Sequence, residues 1–172
     1  TELQAALGLV ALERFPEQAR LRAEMADCLE ASLAGVPGIR LLKRDPRLTA
    51  RAVYCYAFAI DPEVFGAGHD VVCRALAAEG IPCWEGYPAM HRYDLFQPRS
   101  SRLPVPSAFP DRFEYERLHL PVAERASSRE AVWLGEAVLR AGQRGVDDVV
   151  AALHKLAANR DELRRLEAER TG

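Results

Sequence analysis

The chain has 172 residues, which suits one domain able to bury roughly 70% of its unfolded surface. Apolar residues make up 49% and charged residues 28%, with a net charge of −2. That balance is ordinary for a globular protein, and it argues against nucleic acid or an anionic membrane surface as a partner.

The opening TELQAALGLVALERF places Gln4 three residues after Thr1, a capping-box pair at a helix start. Leu3, Ala6, Leu7 and Val10 recur at helical spacing, and Leu9 and Leu12 extend the apolar surface round the cylinder. A helix apolar on most sides is buried on most sides. Pro16 is expected to kink or break it. The helix resumes with Leu21, Met25, Cys28, Leu29 and Ser32 on one face, and Gly35, Pro37 and Gly38 end it. Residues 1–36 therefore read as one long, bent helix. Because the pattern is already under way at Thr1, the chain is expected to be part of a longer protein.

Next comes a hairpin. IRLL forms a short strand, KRDPRLTAR a charged turn, and AVYCYAFAI a second strand. The second is apolar on both faces, with Tyr54, Tyr56 and Phe58 on one and Val53, Cys55 and Ala57 on the other, so it is expected to be central and covered on both sides. GHDVVCRALAAEG reads as a helix stopped by Gly80 and Pro82. Residues 81–84 suggest a third strand. Residues 97–120 hold Pro98, Pro104, Pro106 and Pro110 without a clear period, and a loop of that length inside a compact domain is usually functional or mobile. Pro121 can open a helix running through VAERASSREAVWL. Gly145 precedes the last helix, whose inward stripe is Val146, Val149, Val150, Leu153, Leu156 and Ala157. The charged tail, residues 159–172, is expected to be helical and frayed. The whole is α+β: a small, mainly antiparallel sheet covered by helices.

Most chemical signatures are missing from the sequence. It has no G-x-S-x-G elbow and no Gly-rich phosphate loop. His69, His91, His119 and His154 lack paired ligand spacing, so no metal site is expected. Cys28, Cys55, Cys73 and Cys83 form no C-x-x-C and read as core thiols. Free thiols, with no membrane-length apolar run and no signal-peptide pattern, point to the cytoplasm. The two lysines, Lys43 and Lys155, lie in polar surroundings. A lysine that forms Schiff bases needs a desolvated or cation-crowded pocket.

The stretch GIPCWEGYPAMHRYDLF crowds Tyr87, Pro88, Tyr93 and Phe96 around His91. Two readings are open. His91 is a turn histidine bonded to backbone, or it is an imidazole that contacts a ligand from a loop on a rigid scaffold.

Three stretches resemble the DegT/DnrJ/StrS family of pyridoxal-phosphate sugar aminotransferases. Thr1, Glu2, Leu3, Gln4, Ala5 and Ala6 match the run that follows the family's Asn-x-Arg-Met motif. Gly80, Ile81, Tyr87, Pro88, His91 and Phe96 match its later signature, although Ala89 and Met90 stand where Pro-Leu is usual. FEYERLHLPVAERASSREAVWL and GVDDVVAALHKL resemble its closing segments, with Gly135 in place of a turn proline. The resemblance implies that residues 1–36 are the linking helix and residues 37–158 the C-terminal small domain of a fold-type I enzyme that uses pyridoxal 5'-phosphate. It places the catalytic lysine and the main cofactor contacts upstream, outside this chain, which would be inactive alone. It further implies a cytoplasmic homodimer with sites at the subunit interface. His91 and Tyr87 become substrate-binding residues. The implied reaction moves an amino group from glutamate or glutamine to a keto group on a nucleotide-linked sugar or a cyclitol. Relatives with histidine at the lysine position are dehydratases, and this chain lacks that position. The competing class is a free-standing, non-catalytic α+β module for ligand binding or dimerisation.

Overall fold

The computed structural model describes residues 1–94 and 102–171. Helix α1 spans Glu2–Leu33 and opens on the expected capping box, with the Gln4 backbone N–H donating to Thr1 Oγ1 at 3.3 Å. Pro16 does not break it. A proline inside a helix removes one backbone donor, here the one that would serve the carbonyl of Leu12, and the turns on either side carry on.

The two halves of α1 have different fates. Ala26, Leu29 and Leu33 are fully buried in the core. Leu3, Leu7, Leu9 and Leu12 stand in solvent, Leu3 at 71% exposure. Among the described residues, the apolar first half is therefore a helix without cover.

Among the described residues, strands β1 (Ile39–Leu41), β2 (Cys55–Ile60), β3 (Cys83–Trp84) and β4 (Ala131–Gly135) form one antiparallel sheet, ordered β1-β2-β4-β3. The register sets Tyr56 opposite Leu134 and Phe58 opposite Val132. Side chains alternate across a strand, so these four and Ile60 enter one layer. Helices α3 (His69–Ala78) and α7 (Gln143–Ala158) cover that layer with the second half of α1, contributing Val72, Leu76, Val149, Leu153 and Leu156.

The opposite face is more open. Cys55, Ala57, Trp133 and Gly135 are only half-buried there, so β2 is central but not fully covered on both sides as its composition suggests. Trp133 stacks obliquely on Trp84 at 6.0 Å and meets the ring of Tyr87 edge-on at 5.6 Å. Gly86, at φ +81°, lies beneath this cluster, and a Cβ there would come within 2.5 Å of the Trp133 indole.

The structure corrects three expectations in the last third. The helix expected from Pro121 stops early: α5 is Pro121–Arg125, Ala126–Glu130 form a π-helical turn, and AVWLG is β4, between β2 and β3. Short apolar runs do not distinguish helix from strand, and pairing with β2 and β3 decides this one. Gly145 lies inside α7 rather than before it. A Cβ there would meet the Val138 carbonyl at 2.1 Å, so the glycine allows α7 to press on the short helix α6 (Glu136–Arg140). The tail does not fray. It forms α8 (Arg160–Thr171), docked through buried Leu163 and an Arg170–Asp70 ion pair at 2.9 Å.

Leu134→Ala is expected to cost about 2–5 kcal/mol of stability, because Leu134 is wholly buried in the sheet layer. Leu3→Ala should change the stability of this chain by no more than about 0.5 kcal/mol. Urea unfolding midpoints at constant slope measure both.

Candidate functional site

The loop after β3 runs over Gly86, Tyr87 and Pro88 into a 3₁₀ turn, Met90–Arg92, closed by a bond from the Arg92 N–H to the Ala89 carbonyl at 2.8 Å. The turn carries His91 inward. The imidazole is 7% exposed, and its Nε2 lies 2.8 Å from Glu124 Oε1 in the first turn of α5. Phe96, which the sequence groups with His91, lies outside the described residues.

Glu124 collects several donors. Oε1 also accepts from Arg92 Nη2 at 2.9 Å and from the Leu120 backbone N–H at 3.3 Å. Oε2 faces His119 Nδ1 at 3.2 Å. The bond from His91, then that from Leu120, with a further contribution from Arg92, holds the Glu124 carboxyl down at about 2. At neutral pH it is an ionised, acceptor-only group.

His91 also forms part of the wall of a pocket of about 400 Å³. Among the described residues, Met90, Tyr115, Leu118, Leu120 and Ala123 line it as well. An apolar cavity with few polar groups at its edge is the usual form of a small-molecule site. Tyr87 is placed differently. Its ring is largely exposed and rests on Trp133, on the more open face of the sheet. Both residues belong to one loop, but the structure brings His91 together with Glu124, Arg92 and His119 rather than pairing it with Tyr87 as a ring stack.

Sequence reading missed Glu124. A lone glutamate in an expected helix gives no signal, and its partner lies 33 residues away. It missed Glu130 for the same reason. That buried carboxylate ends the π-helical turn and is bound by Arg40 and by Arg125 Nε at 2.7 Å, which ties the turn to the edge strand β1.

The lysines can be tested directly as holders of a carbonyl cofactor. Lys43 is exposed. Lys155 Nζ is held by both carboxylate oxygens of Glu79, at 2.7 and 2.8 Å, on the surface of α7. Neither is desolvated or crowded by cations, so neither fits a Schiff-base role.

Residues 1–153 match the model of the DegT/DnrJ/EryC1/StrS aminotransferase family. The chain belongs to this family. It is 34% identical over 167 residues to an L-glutamine:2-deoxy-scyllo-inosose aminotransferase of Micromonospora echinospora, covering 95% of this chain and 39% of that protein. It is 32% identical to a protein of the same name from Streptoalloteichus tenebrarius, again over 39% of its length. The chain thus spans about two-fifths of the relatives it matches. The fold is shared with a 3-amino-5-hydroxybenzoic acid synthase, with a TM-score of 0.66 at 23% identity over 86% of this chain and 36% of that one. It is shared likewise with an aminotransferase from Streptoalloteichus hindustanus, with a TM-score of 0.65 at 24% identity over 90% of this chain and 36% of that one. The α+β expectation and the family resemblance both hold.

For Glu124 the sign of the pH dependence follows from the downward shift. Its contribution to stability is complete above the ordinary glutamate range near about 4.3 and is lost as pH falls towards 2. Carboxyl ¹³C titration is expected to show Glu124 still ionised at pH 3, and His91→Ala should move its midpoint upward.

Proposed function

We propose that the intact protein is a pyridoxal-phosphate-dependent aminotransferase that moves an amino group from glutamine or glutamate to the keto group of a cyclitol or a nucleotide-linked sugar. In this reading the chain supplies the linking helix and small domain, with His91 and Tyr87 on the substrate side. The observation that carries it is the family match over residues 1–153. The relatives named as cyclitol aminotransferases favour a cyclitol as the acceptor.

Two physical features support the reading. The first half of α1 is too apolar for solvent, and Leu3, Leu7, Leu9 and Leu12 lie bare. Burying a leucine contributes about 1.5–3 kcal/mol, so this face has much to gain from the remainder of a longer protein. That weighs against a free-standing module. The second feature is the chemistry of the lysines. Pyridoxal phosphate supplies the electron sink for moving an amino group, and neither Lys43 nor Lys155 fits as its anchor. The residues of this chain therefore bind and orient substrate, and the cofactor is held by other parts of the protein. A homodimer with the His91 loop at the subunit interface completes the proposal.

Two measurements test it. In the full-length protein, His91→Ala should lower kcat/KM for the amino acceptor by about tenfold, the loss of a hydrogen bond worth roughly 1–3 kcal/mol, with the cofactor absorbance and the donor half-reaction intact. Unchanged acceptor kinetics would make His91 a structural turn residue. Separately, this chain treated with pyridoxal phosphate and borohydride should take up no stoichiometric label. A single full label at Lys43 or Lys155 would contradict the division of roles.

A further inference from the structure

We infer that Glu124 is a positioning residue for His91: its carboxylate fixes the imidazole with the hydrogen on Nε2 and locks the 3₁₀ turn carrying it onto the start of α5. Only the catalytic consequence of this inference rests on the reading of His91 proposed above. The geometric part stands by itself.

The argument begins with donor and acceptor capacity. An ionised carboxylate accepts hydrogen bonds and donates none. Glu124 Oε1 lies 2.8 Å from His91 Nε2, so Nε2 carries the hydrogen whichever charge the ring bears. In the neutral ring the lone pair is then on Nδ1. The assignment does not depend on the ring alone, because the rest of the cluster holds the carboxylate in place. Arg92 Nη2 and the Leu120 N–H both donate to the same oxygen, and His119 Nδ1 faces the other. These donors come from residues 91–92 on the turn after β3 and residues 119–120 before α5, so one side chain closes the two segments on each other.

Burial explains why this amounts to more than a surface ion pair. Exposed pairs contribute little to stability. Here the imidazole is 7% exposed and walls the pocket, while the carboxylate is half-buried. The ring edge turned to the pocket is therefore set by where Nε2 is tied. Arg92 further joins the turn to the Leu118 carbonyl at 3.4 Å, beside the pocket residues Leu118 and Leu120. Without Glu124 the ring would lose the acceptor that holds its hydrogen on Nε2. A misplaced positioning group lowers the rate without touching the reacting atoms.

The experiment uses full-length protein with ¹⁵N-labelled histidine, as wild type, Glu124→Gln, Glu124→Ala, His91→Ala and the Glu124→Ala/His91→Ala double variant. His91→Ala assigns the signal, and thermal midpoints confirm folding. At pH 8 the wild-type spectrum should show His91 as the Nε2–H tautomer, and Glu124→Ala should show averaging between tautomers. Glu124→Ala should lower acceptor kcat/KM by about tenfold with the cofactor absorbance unchanged. Glu124→Gln, whose amide oxygen still accepts, should lower it less. If Glu124 acts through His91, the double variant will be no worse than His91→Ala within about twofold. An unchanged Nε2–H tautomer in Glu124→Ala overturns the inference, as does a double variant that loses the product of the two single effects. Silent His91→Ala kinetics with a changed tautomer in Glu124→Ala would remove the substrate role of His91 and support its positioning by Glu124.

Discussion

Strand β4 is the member on which the rest of the structure depends. It pairs with β2 on one side and β3 on the other. Its alternate residues Val132 and Leu134 complete the buried layer with Tyr56, Phe58 and Ile60. A one-residue slip would turn Val132 and Leu134 outward and bring Trp133 into the core. That register also places the site. β3 leads into the His91 turn, and α5 with its π-helical turn leads into β4. Glu124 and His91 thus reach each other from segments anchored to the same paired strands. A loop residue becomes precise when both ends of its contact rest on rigid elements.

Much of this was legible in the sequence, and the failures have identifiable causes. The start of α1, the β1–β2 hairpin, α3 with its Gly80 stop and the inward stripe of α7 all rest on local periodicity and end signals, which a single sequence carries directly. AVWLG failed because five residues of small and large apolar side chains suit either period, and only the register with Cys55–Ile60 decides for a strand. The docking of α8 rests on one buried leucine, Leu163, and on the Arg170–Asp70 ion pair, too little to see as an apolar stripe. His91 stood out because rings crowd it in sequence and because it falls on a family motif. Glu124 did not, since nothing local marks a glutamate whose partners are assembled by the fold.

The same division separates the two apolar surfaces of the chain. The second half of α1 satisfies its apolar face against α6 and α7. Its first half is poorer in charge and richer in leucine, yet among the described residues its leucines stay exposed, so composition alone cannot assign cover to a helix. The chain spans about two-fifths of its relatives. Arg22 marks the transition. Its guanidinium sits 6.0 Å from the Phe15 ring and reaches Glu136 on α6 at 3.2 Å. It covers the last of the bare segment with a side chain that is itself partly apolar.

The more open face of the sheet shows how the Tyr87 end of the loop is held. Cys55, Ala57 and Gly135 are small, which leaves Trp133 as the raised feature among them, opposite Ala57 and Trp84 in register. Tyr87 rests on that indole, and Gly86 passes so close beneath it that no side chain fits. Among the described residues, two contacts of different character stand out in holding the loop. An apolar contact on the sheet fixes where it leaves β3, and the Glu124 carboxylate fixes where it turns at His91. The first has no direction and tolerates small rotations. The second is directional and sets an angle. A loop resting on Trp133 without Glu124 would keep its path and lose the directional bond to Nε2, which is why that bond is assigned the angle and the glycine and indole the path.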